Sequence, residues 1–574
     1  MYKKSNSQYY FYLPETANLE ELPIYFNGYS SVKIGEYDIT SGYSYKLSSD
    51  IAYKLYLNGE YAGRLTFLKS TSPAMYLNTK ENLPTTVFAT NADGVSFEHK
   101  DTFSTKGTIA TSELNSDYVE TNLKKLKGRG NASWSFSYNN FGKYSYNITL
   151  ESKTKLFSNL NKGKKFCLLA NNGDEAYMRN LFTFILGQSI NSDYTPTFEY
   201  VDLYDNGEYM GSFMVTDKIE VNSQSLDLSC SLDDLNENAN PDAELDTFPR
   251  MSTTNNLNDW NTLGYKKWVD INEVTEYEDG TPFDASKGDG TYLLEFEMYN
   301  RFPDEISGFI SNKGQQVVVK TPEFASKNQV DFISELFNKA EEAVYNPDST
   351  FEELNKLIDV DSFIKIYLVQ ELSKNIDSCQ TSYYLYYDSK IDSRLHAAPL
   401  WDYDMAYGQY ETPRMIAPNV YGEAAKTSDL HSKIKGIFGN EGVLNFQATF
   451  INNKEVWHRV KQLWNGSNGF YETAYDLLNG TGEGKIPYYV DRLRGTAKMN
   501  ESRWGFIGQD LIKAGGLNDT GSNYQETTNF FISWTTERLN WMHNGLSNTT
   551  PLLLGDINND SITNITDATE LQKV

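Results

Sequence analysis

Between residues 361 and 408 the alternation of apolar and polar positions changes rhythm three times. Phe363, Ile364, Tyr367, Leu368 and Leu372 recur at the spacing of one helix face, and Asp361 is placed to cap its start. The helix is expected to stop near Lys374, leaving a short polar loop that carries Asp377. Residues 382–388 (SYYLYYD) have the tyrosines of a strand, and after a turn a second run, 395–401, ends in Asp402-Tyr403-Asp404. The predicted order is helix, loop aspartate, hairpin, carboxylate pair.

Elsewhere the pattern divides the chain. Up to about residue 83, alternating runs such as Tyr53-Lys54-Leu55-Tyr56-Leu57, followed by the turn pair Asn58-Gly59, predict a small β domain. LYLNGEYAG (55–63) returns as LYDNGEYMG (203–211), but the flanks differ, so one hairpin solution used twice is preferred to a repeat. Lys143, Ser145 and Asn147 alternate with Tyr144, Tyr146 and Ile148 as on a strand. Asp174 is placed to cap a helix bearing Met178, Leu181, Phe182 and Ile185. Residues 221–290, with the acidic run SLDDLNENANPDAELD, read as a mobile insertion. Beyond it Ser326-x-x-Gln329 and Ser349-x-x-Glu352 are capping boxes. Residues 453–464, 485–500 and 524–543 are amphipathic helices whose Trp457, Trp464, Trp534 and Trp541 belong in a core.

Composition narrows the classes. A chain of 574 residues has room for several domains. Its net charge of −26 argues against nucleic acid as the main partner and suits binding of divalent cations. Three cysteines are too few for a disulfide framework and too scattered for a zinc site. No apolar run reaches the roughly 18 residues of a membrane span. The start, MYKKSNSQYY, lacks an apolar signal core, so a secreted form is expected to have lost its leader.

The carboxylates suggest a chemistry. Phosphoryl transfer needs one carboxylate near the attacking hydroxyl and others on the metal that bridges the phosphates. A hairpin between Asp377 and Asp402 would fix their separation. The competing reading makes Asp377 a helix-end residue and Asp402 and Asp404 ordinary loop carboxylates. Upstream, Gly128-Arg129-Gly130-Asn131 can form a tight loop facing an anion, with Lys143 following on its strand; a surface turn and a solvated strand face fit as well.

RGNASW, LLANNGDEAYMRN, VDLYDNGEYMGSFMVTDKIEV, YLLEFE, VVVKTPE, NIDSCQTSYYLYYD and PLWDYD occur in the order seen in the CotH-type atypical protein kinases. WTTERLNWM resembles that family's C-terminal helix. The resemblance implies an α+β, protein-kinase-like bilobal body over residues 84–545, ending in a helical C-terminal lobe, with the β-rich domain 1–83 before it. It implies phosphate transfer from ATP, with Mg2+ or Mn2+, to hydroxyls of secreted proteins. Matched residue by residue, Asp377 is the catalytic aspartate, Asp402 a metal ligand and Asp404 its partner. Arg129, Lys143 and Glu220 fall in segments expected to meet the nucleotide. Two differences from typical kinases stand out: Ser382 occupies the place of the asparagine that holds a second metal, and no G-x-G-x-x-G loop is present, although the family resembled does without one. A catalytically silent structural or adhesion protein with this fold is the alternative, and a carbohydrate-active enzyme is a third reading.

After a linker at 546–554, Asp556, Asn558, Asp560, Asn564 and Asp567 occupy positions 1, 3, 5, 9 and 12 of a calcium loop, with Ile562 supplying a carbonyl at 7. Segment 555–574 resembles the first repeat of a type I dockerin, although Ser561 replaces the usual turn glycine and no second repeat follows. That resemblance implies Ca2+, a cohesin partner on a scaffoldin, and an extracellular, cellulosome-associated location.

Overall fold

This computed structural model describes residues 2–5, 7–85, 103–130, 134, 142–251, 262–298, 301–375, 377, 381–409, 446–509 and 520–547. The expected calcium loop at 556–567 lies outside them, as does Asn131. The class is mixed α and β. The first sheet runs in the order Tyr2–Ser5, Gln8–Leu13, Glu60–Lys69, Ala52–Leu57, Val32–Ile34, Tyr37–Ile39, and buries Leu55, Leu65 and Phe67.

Seven strands then close a barrel: Ser104–Ser112, Val119–Gly128, Tyr146–Thr154, Gly163–Leu169, Glu208–Asp217, Phe198–Asp205 and Ala74–Thr79. Ala74–Thr79 closes the ring by pairing antiparallel with Ser104–Ser112 and parallel with Phe198–Asp205, so the barrel starts upstream of residue 84. Leu126, Tyr146, Ile148, Phe166, Leu168, Phe213 and Val215 fill it. The two copies of the nonapeptide form hairpins in different sheets. Each has a turn with two positive φ values (Asn58 52°, Gly59 84°; Asn206 49°, Gly207 84°) and a register shift beside a glycine at positive φ (Gly63, Gly211). A Cβ on Gly63 would lie 2.5 Å from the Ser7 carbonyl oxygen, and one on Gly211 2.6 Å from Asn500 and Trp504. Hairpin chemistry explains the recurrence.

A second six-stranded sheet, with Thr291–Phe296 between Gln316–Thr321 and Tyr383–Asp388 and Leu395–Ala397 at its edge, shares the main core with helices Arg179–Ser189, Lys327–Tyr345 and Val360–Ser373. The helices after residue 446 join the same core, burying Trp464 and Trp534 while Trp457 and Trp541 pack at its margin. Among the described residues no helix is long and apolar enough to cross a membrane.

Several local expectations shift. Helix Val360–Ser373 is capped by Asp359, which accepts from the Ser362 N–H at 2.8 Å; Asp361 instead pairs with Arg459 at 2.6 Å. The box at Ser326 and Gln329 forms as expected. The next one forms one residue later, at Thr350 and Glu353, because the Ser349 N–H is used on the Asn346 carbonyl. Lys143 precedes its strand, which begins at Tyr146, and residues 142–146 are all buried rather than alternating. The acidic insertion is docked. Its helix Leu232–Ala239 buries Leu232 and Leu235, Asn236 exchanges amide hydrogen bonds with Gln329, and Asp233 accepts from Thr321 and the Glu323 N–H.

Candidate functional site

Helix Val360–Ser373 delivers Asp377. Its last turn is fixed by a buried ion pair, Arg538 Nη2 to Glu371 Oε1 at 2.6 Å, with both side chains fully buried. Lys374 ends it in a left-handed conformation (φ 47°), and Asn375 then accepts from the Asp377 N–H at 3.2 Å. Asn375 also donates to the Asp402 carbonyl at 3.4 Å, which ties the loop to the far end of the hairpin. The hairpin pairs Leu385 with Ala397, and its exit strand leads through Trp401 to Asp402. Tyr403 N–H donates to Asn180 Oδ1 at 2.8 Å, and Tyr407 N–H donates to the Ser373 carbonyl at 2.7 Å, so the carboxylate turn closes back on the helix end.

Asp377, Asp402 and Asp404 come together here and act on one another. Desolvation, then Asp402, push the Asp377 carboxyl up to about 7, with Arg301 opposing. Desolvation, then Asp402, Asp174 and Asp377, raise Asp404 well above the usual carboxylate range, with Arg179 opposing. Asp174 and Arg179 form a fully buried pair at 2.7 Å, and Arg179 Nε also donates to the Ala406 carbonyl at 2.9 Å. Asp174 accepts from the Arg179 N–H, so it caps the helix from four residues before the Met178 cap position. Gly173 lies against Asp404; a Cβ there would stand 3.1 Å from Oδ2. Asp174, Asp377, Asp402 and Asp404 thus lie under the influence of Arg179 and Arg301, and burial first, then the mutual repulsion of the carboxylates, raises Asp377 and Asp404. Arg179 Nη2 is buried with no hydrogen-bond partner among the described residues.

The barrel supplies the facing groups. Arg129 holds its guanidinium 5.5 Å from the centre of the Trp401 ring, one residue before Asp402. Lys143 is turned inward: Nζ donates to the Ala170 and Ser212 carbonyls at 2.7 and 2.6 Å and sits 4.6 Å from the Phe213 ring. Burial lowers its pKa to about 7, with Asp202 opposing. Glu220 pairs with Lys165 at 2.9 Å and with Lys218; desolvation raises its carboxyl, but the two ammoniums outweigh that and hold it below the ordinary value. Burial raises the Cys167 thiol, on which the charges of Arg129, Lys218, Glu220 and Asp217 also act.

Sequence reasoning gave no role to Arg301, Thr381, Lys165 or Lys218. Arg301 and Thr381 sit in irregular loops with no periodicity to mark them, and Arg179 is placed by the sequence only within the helix that follows Asp174 and in the motif LLANNGDEAYMRN, with no role.

The residues fit a nucleotide carrying a divalent metal: hard oxygen ligands in surplus on one side, and a guanidinium on the other. Residues 126–542 match the model of the CotH kinase protein family. No curated protein matches the chain.

Proposed function

The chain belongs to the CotH kinase protein family, and we propose that it is an active, ATP-dependent protein kinase with a bilobal, kinase-like arrangement. The observation that supports this most is the surplus of carboxylates where Asp377, Asp402 and Asp404 meet. In this reading Asp402 and Asp404 hold Mg2+ or Mn2+, and Arg129 faces the phosphates. Glu220 orients Lys165 and Lys218, and Lys143 fixes the barrel wall behind them. When bound, the metal neutralises charge on the transferring phosphoryl group. Asp377 accepts the proton of an acceptor hydroxyl; burial, which raises its carboxyl from the ordinary value, makes it a better base than a solvated carboxylate.

Asp377→Asn keeps the side-chain shape and removes the base. Nucleotide affinity, read by calorimetry, should stay nearly constant, while radiolabel transfer from ATP to a co-secreted protein or to the chain itself should fall about 10²- to 10⁴-fold. Undiminished transfer would make Asp377 a helix-end residue only.

A second reading, a catalytically silent structural component, is favoured by one observation: the Lys143 ammonium is engaged inside the barrel. A parent protein that binds no nucleotide with either metal would select it. Residues 555–574 extend the proposal to a dockerin repeat whose Asp556, Asn558, Asp560, Ile562, Asn564 and Asp567 bind Ca2+ and direct the protein to a cohesin outside the cell. A two-repeat module carrying this loop should give tight, calcium-dependent cohesin binding; such a module that ignores cohesins would end this part of the reading.

A further inference from the structure

Beside the carboxylates stands a cation that the mechanism above does not use. Arg301 donates through Nη2 to the Thr381 hydroxyl and lies 3.1 Å from Glu297 Oε1, so it is held from two sides. Its Nε–H is buried with no partner among the described residues. Thr381 N–H donates to the Asp377 carbonyl at 3.3 Å, and the next residue, Ser382, donates its hydroxyl to Asp402 Oδ2 at 3.3 Å. One dipeptide therefore links the guanidinium to the loop of Asp377 and to the carboxylate of Asp402. The Arg301 charge acts on both aspartates.

Ser382 occupies the position from which a typical kinase catalytic loop holds a second metal through asparagine. A hydroxyl already committed to Asp402 is a poor replacement, because a hard divalent ion is built into a site by several well-placed oxygens. Arg301 brings positive charge to the same neighbourhood without needing ligands.

Resting on the kinase reading, we propose that Arg301 is a built-in cation standing in for the second metal, so that the site takes a single divalent ion with its nucleotide. Arg301 is then a positioning residue: it acts through Thr381 and through its charge. The design also removes a dependence on free metal, since a guanidinium stays protonated at any working pH and cannot be diluted away.

The test counts Mn2+ ions by calorimetry and by the loss of the free-ion EPR signal, on the full chain with a non-hydrolysable ATP analogue. Only ions taken up on adding nucleotide are counted, which leaves aside any ion at 556–567. The parent should take up one. Arg301→Gln should take up a second, and its phosphate transfer should fall about tenfold or more at low Mn2+ and recover in part at high Mn2+. Arg301→Lys, which keeps the charge, should stay at one. Two nucleotide-dependent ions in the parent would overturn the proposal, and so would Arg301→Gln with the parent's count and metal dependence. If Arg301→Gln does not fold, the parent count decides alone. A parent that takes up no ion with nucleotide would remove the kinase reading itself, and this inference with it.

Discussion

Asp402 adopts φ 67°, a left-handed conformation that costs a non-glycine residue on the order of 1–3 kcal/mol. Asparagine tolerates that conformation as well as aspartate does, so Asp402→Asn removes a charge without disturbing the backbone. Metal-dependent nucleotide affinity should fall at least about tenfold, about 1.4 kcal/mol, by calorimetry; equal affinity would take Asp402 out of the metal site. Gly173 offers a second probe. Its φ is ordinary, but a Cβ would press on Asp404 Oδ2 at 3.1 Å and on Cγ at 3.5 Å. Gly173→Ala should therefore displace the carboxylate by a few tenths of an ångström and weaken the same affinity about threefold to tenfold, with thermal stability little changed. Affinity equal to the parent's would show that the Asp404 position does not matter for the metal. At this scale the order of Asp377, Asp402 and Asp404 was legible because helix and strand periodicities bracket them. Arg301 was not, because its partners Glu297 and Thr381 lie four residues before it and eighty after it, in segments without a period.

Between elements, the hairpin carrying Asp402 is anchored at its outer end by His396. Its ring stacks on Tyr386 at 4.7 Å, and its two nitrogens meet Asp193 at 2.7 Å and Asp392 at 3.0 Å. Arg394 bridges Asp392 and Asp359 beside it, so the cluster of Asp359, Asp392 and His396 already holds a cation of its own. Burial lowers the His396 pKa, but the two carboxylates outweigh it and the net direction is up. A raised folded pKa gives stability that is fully present below the unfolded value of about 6.5 and is lost as pH rises through the folded value. Desolvation raises Asp193 and Asp392 as well, but their hydrogen bonds hold both below the ordinary range, so their contribution is present above about 3.8 and is lost as pH falls further. Urea titrations of the parent and of His396→Gln should differ most near pH 6 and converge near pH 9; a gap independent of pH would mean that the ring acts by packing alone. The hairpin itself was plain in the sequence. Its cap was less so: Asp359 caps with one oxygen while the other pairs with Arg394, and Asp361, the cap that spacing suggests, is taken by Arg459 from 98 positions away.

Across the whole molecule, the N-terminal sheet is bolted to the barrel and to helix Arg494–Trp504 by contacts that no local pattern reveals. Asp202, fully buried on the barrel strand Phe198–Asp205, accepts from Tyr209 at 2.6 Å, from Thr496 at 3.0 Å and from Ser70 just beyond the first sheet. Around it Thr71 accepts from the Gly495 N–H, Lys498 pairs with Asp50 at 2.8 Å, and Ser502 bonds Tyr12 across 490 positions of sequence. The β-rich start of the chain was legible from its alternation, but its docking was not, because these partners are polar residues scattered over three regions. Asp202→Ala would take one acceptor from the Tyr209, Thr496 and Ser70 hydroxyls, of which Ser70 keeps the Ser72 carbonyl, and would remove a negative charge that acts on Lys143, a loss of about 3 kcal/mol. All nine tryptophans lie beyond residue 69, and Trp504 reports on the junction itself through its 3.0 Å bond to the Met210 carbonyl. The first sheet holds no tryptophan, so the urea transition in tryptophan fluorescence follows unfolding of the body. Removing residues 1–69 should lower the urea midpoint of that signal, and Asp202→Ala in the full chain should lower it in the same direction. A midpoint that ignores the deletion would make the first sheet an independent appendage, and Asp202 would then be stabilising the barrel alone.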